Sequence, residues 1–126
     1  MPNFTHRDVA DAPLTLMRNT ATHIFYLSDY AATYHALNDL ALGNHAAGMA
    51  SAPADDVDSG GRFIQWVVAT TATYTANGEV THIAIVDGNS QKILRINEVA
   101  EPWQAAVGRL ISISAPIRAI QGREGD

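Results

Sequence analysis

Val80-Thr81-His82-Ile83-Ala84-Ile85-Val86-Asp87 is an eight-residue run rich in β-branched side chains, entered from Asn77-Gly78 and left through Asp87-Gly88-Asn89-Ser90. Such residues pack well on a pleated surface and lose rotamer freedom in a helix, so the run reads as a strand. Asn-Gly and Asp-Gly pairs tolerate the positive φ of tight hairpin turns, which marks both ends of the strand as reversals. Working outward, Gly61 to Thr75 is dense in β-branched and aromatic residues and predicts a preceding strand, while Lys92 to Asn97 predicts a following one. Together they predict a β-meander.

Further along, residues 98–108 contain Pro102-Trp103 and read as a connection. Arg109 to Ala115 alternates, with Leu110, Ser112 and Ser114 facing one way and Ile111, Ile113 and Ala115 the other. Pro116 restricts Ala115 and makes any continuation an edge strand. On the N-terminal side, Arg7 to Asn19 has helical spacing through Val9, Ala12, Pro13 and Leu16. Asp8 and Asp11 stand early and Arg18 late, the order the helix dipole favours. Pro13 must then lie in the first turn or break the helix. Thr22 to Leu27 predicts a short aromatic strand, and Thr33 to Leu42 a helical turn or two. The expected fold class is mainly β: a small antiparallel β-sandwich or flattened barrel with an N-terminal helix.

A chain of 126 residues suffices for one compact domain, so one domain over 1–126 is expected, with a short N-terminal arm (1–7), a long loop (43–61) and a loose C-terminal tail (121–126). The loop is expected because its Gly, Ala, Ser, Pro and Asp content buries too little apolar surface to offset chain entropy. Loops beyond about 12 to 15 residues are usually functional or disordered, which makes this one a candidate contact segment. No internal repeat is present.

Charged residues make up 17% and hydrophobic residues 47%, so the charged share is below the usual quarter and leaves neutral surface for partner subunits. Net charge is −5 and the eight basic residues are scattered, which argues against nucleic acid and favours a cationic patch on another protein. The polar N-terminus and the lack of a run of 18 apolar residues predict neither signal peptide nor membrane span. Cysteine is absent, which removes disulfides, thiolate catalysis and cysteine-based zinc sites.

Candidate chemistry is sparse. Asp56-Val57-Asp58-Ser59-Gly60-Gly61 resembles the opening of a calcium loop, yet the twelfth position, where a bidentate carboxylate is needed, holds Val67. No metal or other cofactor is expected. His6, His23, His35, His45 and His82 show no paired metal spacing and are assigned no role. Ser112, Ser114 and the threonines from Thr70 to Thr75 lack a nucleophile elbow, and no glycine-rich phosphate loop occurs, so no enzyme is expected. Trp66 alternates in phase with Ile64 and Val68 and is placed inside; Trp103 is a candidate contact residue or plug at the end of a sheet.

Several pieces of the chain resemble small structural proteins of tailed bacteriophages and prophages. They are Asp11-Ala12-Pro13-Leu14, Asn19-Thr20-Ala21-Thr22, Ser59-Gly60-Gly61-Arg62-Phe63, Gly78 through Asp87, and Lys92-Ile93-Leu94. The resemblance implies a non-enzymatic virion component, assembled in the bacterial host cytoplasm, with the major capsid protein or other virion proteins as partners. A capsid decoration (cement) subunit, homo-oligomeric and trimeric, is the first expectation. A neck, collar or tail accessory subunit is the alternative, and a carbohydrate-binding β module using Trp103, Tyr30 and Tyr34 is a further one. The expected contact residues are Asn3, Phe4 and Arg7 of the arm, Asp55, Asp56 and Asp58 of the acidic loop, and Trp103.

Overall fold

A computed structural model describes residues 3–4, 7–55, 61–68, 70–113, 116–121 and 124–125. In chain order its elements are β1 (Asn3–Phe4), α1 (Arg7–Thr20), β2 (His23–Leu27), α2 (Leu37–Leu40), β3 (Ala41–Ala46), β4 (Ala54–Asp55), β5 (Arg62–Trp66), β6 (Gly78–Asp87), β7 (Lys92–Ala105), β8 (Ile117–Gln121) and β9 (Glu124–Gly125). The fold class is the expected one, mainly β and antiparallel with an N-terminal helix. The chain divides into two compact units, where its length had suggested one domain. One unit comprises residues 1–20, 49–67 and 115–126, the other residues 21–48 and 68–114.

The second unit is built on a four-stranded sheet in the order β3-β2-β6-β7. The run that opened the sequence reading is its inner strand β6, and Ile83 through Asp87 are buried without interruption. An inner strand covered on both faces needs apolar residues at every position, which is why this run does not alternate. Beside it, β2 pairs Ile24 with Ile85 and Tyr26 with Ile83. On one face Leu27, Ala84 and Val86 join Ala31 and Leu37, with Phe25, Tyr34, Leu40, Ile93 and Ile96 around them. The other face carries Ile24 and Tyr26, the latter edge-on to Tyr74 and Trp103.

Several boundaries differ from expectation. The meander reduces to the β6–β7 hairpin, because β5 belongs to another sheet and residues 70–77 form no strand beyond an isolated bridge from Thr73 to Leu110. Instead the N–H groups of Thr75 and Ala76 both donate to the Leu42 carbonyl, so this stretch caps β3. Residues 98–105, expected as a connection, continue β7, which is an edge strand. There the missing N–H of Pro102 is tolerated, since an edge has one side without a ladder. In the hairpin turn the positive φ falls on Gln91 rather than Gly88, while Asp87 Oδ1 accepts from the N–H groups of Asn89 and Ser90. Arg109 to Ile113 forms no named strand, although the expected alternation survives locally: Leu110 is exposed and Ile111 buried.

The expected loop 43–61 contains most of β3 and all of β4. Gly43, Asn44, His45 and Ala46 are too small or polar to announce a strand, and the partner β2 supplies the ladder that holds them. Gly43 lies opposite Tyr26, and a Cβ placed there would come within 3.1 Å of both Ile111 Cδ1 and Tyr74 Cδ1. A larger residue there would make Ile111 and Tyr74 give way by a few tenths of an ångström.

In the first unit, β4-β5-β8 form an antiparallel sheet and α1 packs against β5 and β8. The burial of β5 alternates, with Ile64 and Trp66 inside as expected, and Val68 beyond its end half-buried. β8 is an edge strand, as Pro116 suggested. Over residues 11–20 of α1, Leu14 and Met17 are buried, a three-residue spacing, whereas Ala12, Pro13 and Leu16 are exposed. The helical reading was right, and within residues 11–20 the inward side is Leu14 and Met17 rather than Ala12, Pro13 and Leu16, while the burial of Val9 lies outside what is described. Pro13 sits in the helix interior, on the solvent side, with no N–H for the preceding turn. The expected free arm and loose tail meet: Asn3 pairs with Gly125 and Phe4 with Glu124.

Candidate functional site

The described residues singled out from the sequence fall in both units, Asn3, Phe4, Arg7 and Asp55 in the first and Trp103 in the second. Asn3 and Phe4 form β1 and Arg7 opens α1. Asp55, in β4, accepts a 3.0 Å hydrogen bond from Arg62 Nη1 with its own side chain 68% exposed. Asp56, Asp58 and all but the last residue of the calcium-like hexapeptide lie outside the described residues. Trp103 stands opposite Val80 in β7, half-buried, and its indole N–H donates to the Tyr74 hydroxyl at 2.9 Å. That polar atom is occupied within the second unit, where Trp103 joins an aromatic cluster with Tyr26 and Tyr74.

Arg62 is the strongest polar anchor of the first unit. Its guanidinium grips Asp11 with both ends of the fork, Nε to Oδ1 at 2.8 Å and Nη2 to Oδ2 at 3.0 Å, and Nη2 also donates to the Pro53 carbonyl at 3.2 Å. The hydrogen bond to Asp11 is the main influence raising the Arg62 pKa, against an opposing desolvation, with Asp55 adding to it. The bidentate geometry ties α1 to β5 with a direction as well as a charge. Nearby, Arg18 Nε donates to the Ala50 carbonyl at 2.9 Å, and the guanidinium of Arg118 lies 4.3 Å from the centre of the Phe63 ring. Trp66 is buried, and its indole N–H has no acceptor among the described residues.

The second unit has its own buried polar pair, which the sequence did not announce. His45 Nδ1 is 2.8 Å from the Ala46 carbonyl oxygen, and Nε2 is 2.8 Å from the Tyr26 hydroxyl. A carbonyl can only accept, so Nδ1 carries the hydrogen; in the neutral ring Nε2 then accepts from the Tyr26 O–H. Burial, assisted by Tyr74, holds the Tyr26 phenol well above the usual tyrosine range. His23 and His82 sit in strands as expected, each with Nδ1 beside the hydroxyl of the preceding threonine. His82 also faces Glu98 across the ladder at 3.9 Å and meets the edge of Tyr30. Among the described residues no three His, Asp or Glu side chains gather as metal ligands, and no helix is long and apolar enough to cross a membrane.

What the described surface does offer is apolar area. Leu16, Met49 and Val67 in the first unit, and Tyr30, Val107 and Leu110 in the second, are each more than half exposed. No family model, curated protein or solved structure matches the chain.

Proposed function

We propose that this chain is a structural subunit of a tailed-bacteriophage particle, and that it acts as a capsid decoration protein that cements neighbouring shell subunits. The observation that carries the reading is how its side chains are spent. Arg62 and Asp11 fasten helix to sheet, Tyr26 and His45 fasten β2 to β3, and Asp87 fastens the β6–β7 turn. The large apolar residues left outside are available to neighbours. The sequence resemblance points the same way, because its longest piece, Gly78 through Asp87, coincides with the whole of β6. A cement subunit that touches several shell proteins at once binds firmly through modest contacts, since each contact raises the effective concentration for the next.

Gold labelling of this chain in intact particles tests the reading. Decoration predicts label spread over the head. Label confined to one end would move the subunit to the neck or tail, and unlabelled particles would remove it from the virion altogether.

A further inference from the structure

The strand β7 ends its sheet: β6 lies along one side, and no described strand pairs with the other. An edge of this kind presents a row of backbone N–H and C=O groups that can pair with another strand. At 14 residues it is the longest described strand. Its charges follow an order, with Lys92 and Arg95 in the first half and Glu98 and Glu101 in the second, one every third residue. Lys92, Glu98 and Glu101 are exposed, and Arg95 is half-buried with Nε donating to Asn97 Oδ1 at 3.1 Å. Ile93, Leu94 and Ile96, half-buried in the same stretch, leave apolar area uncovered.

This order is self-complementary in one direction only. A parallel copy would set base against base and acid against acid. An antiparallel copy, turned about a two-fold axis between Ile96 and Asn97, sets Lys92 beside Glu101 and Arg95 beside Glu98 of the other strand. Opposite charges across a ladder attract and like charges repel, so the pattern selects the antiparallel arrangement. The ladder to β6 is irregular at Leu94 and again between Glu98 and Trp103, positions that meet each other about that axis, so a second copy matches this edge where a regular unrelated strand does not. Pro102 lacks an N–H and bounds the pairing at its far end. From this we infer that two copies of the chain join edge to edge through residues 92–101 of β7, antiparallel, so that their four-stranded sheets continue into one another. The interface is isologous, the same surface on both copies. It differs from the trimer the sequence suggested. It stands apart from the virion reading, because self-association is measured on the purified chain without any particle.

Sedimentation equilibrium on the full chain at low salt tests the pairing, with Lys92→Glu, Glu101→Lys and the double variant compared with the wild type. The wild type is expected to dimerise, each single reversal to weaken dimerisation by roughly tenfold or more, and the double reversal to restore it, because the charges then pair again in exchanged positions. Circular dichroism reports folding. Should Lys92→Glu fail to fold, Glu101→Lys at its own exposed position and rising salt carry the same comparison. A wild type that stays monomeric at every concentration overturns the proposal. So does a dimer indifferent to the single reversals, or one that the double reversal leaves broken.

Discussion

The phenolic oxygen of Tyr26 lies 2.8 Å from Nε2 of His45, on adjacent strands and away from solvent. The ladder sets Ile24 opposite His45 and Gly43 opposite Tyr26, so the two side chains meet on the diagonal of one sheet face. With Nδ1 committed to the Ala46 carbonyl, the imidazole has one acceptor left and one donor to fill it. Replacing Tyr26 with Phe keeps the ring and strands that acceptor. The expected cost is about 1–3 kcal/mol, the penalty for a buried polar group left without its partner, read from urea unfolding.

The same phenol makes the protein sensitive to alkali. Its folded pKa is raised by burial and then by Tyr74, whereas in the unfolded chain it ionises near the ordinary value of about 10. Above that pH the unfolded chain releases a proton that the native one keeps, so stability falls as pH rises; below it this residue adds no pH dependence. Urea midpoints measured on either side of pH ~10 should show the decline, and Tyr26→Phe should flatten it.

Arg62 holds two carboxylates of different worth. Asp11 is gripped at both oxygens with its side chain 20% exposed, while Asp55 offers one contact at 68% exposure. Asp11→Ala should cost roughly 1–3 kcal/mol, because a buried guanidinium loses its main partner. Asp55→Ala should cost about 1 kcal/mol or less, as exposed ion pairs do. Equal losses in thermal or denaturant unfolding would contradict this division.

Gly43 predicts a steric effect. Valine at that position would drive side-chain atoms into Tyr74 and Ile111 on a face already filled. Overpacking of this kind costs about 1–3 kcal/mol. Gly48, where an added Cβ meets nothing, is the control for crowding, although its φ of +70° favours glycine for its own reason.

The parts of this fold that could be read from the chain are those where local pattern and environment agree. Ile83 to Val86 is apolar at every position and bounded by turn residues, so β6 was visible, as was the inward phase of Ile64 and Trp66. The strand β3 was hidden because Gly43, Asn44 and His45 have no strand preference of their own; the ladder from β2 makes them one. Pro102 looked like a break until its strand proved to be an edge, where a missing donor costs nothing. The burial of His45 depends on a register between residues 24 and 45 that no local window contains. The order Lys92, Arg95, Glu98, Glu101 stood in plain view, but charge along a strand means little until its position at the edge is known.

The most direct test of the central claim is quantitative mass spectrometry of tailed-phage particles purified by gradient from a host carrying this gene. A structural subunit predicts that the chain travels with the particle band in a constant ratio to the shell protein and remains after a salt wash. Its absence from that band, with the chain recovered only among unassembled host proteins, would contradict the account.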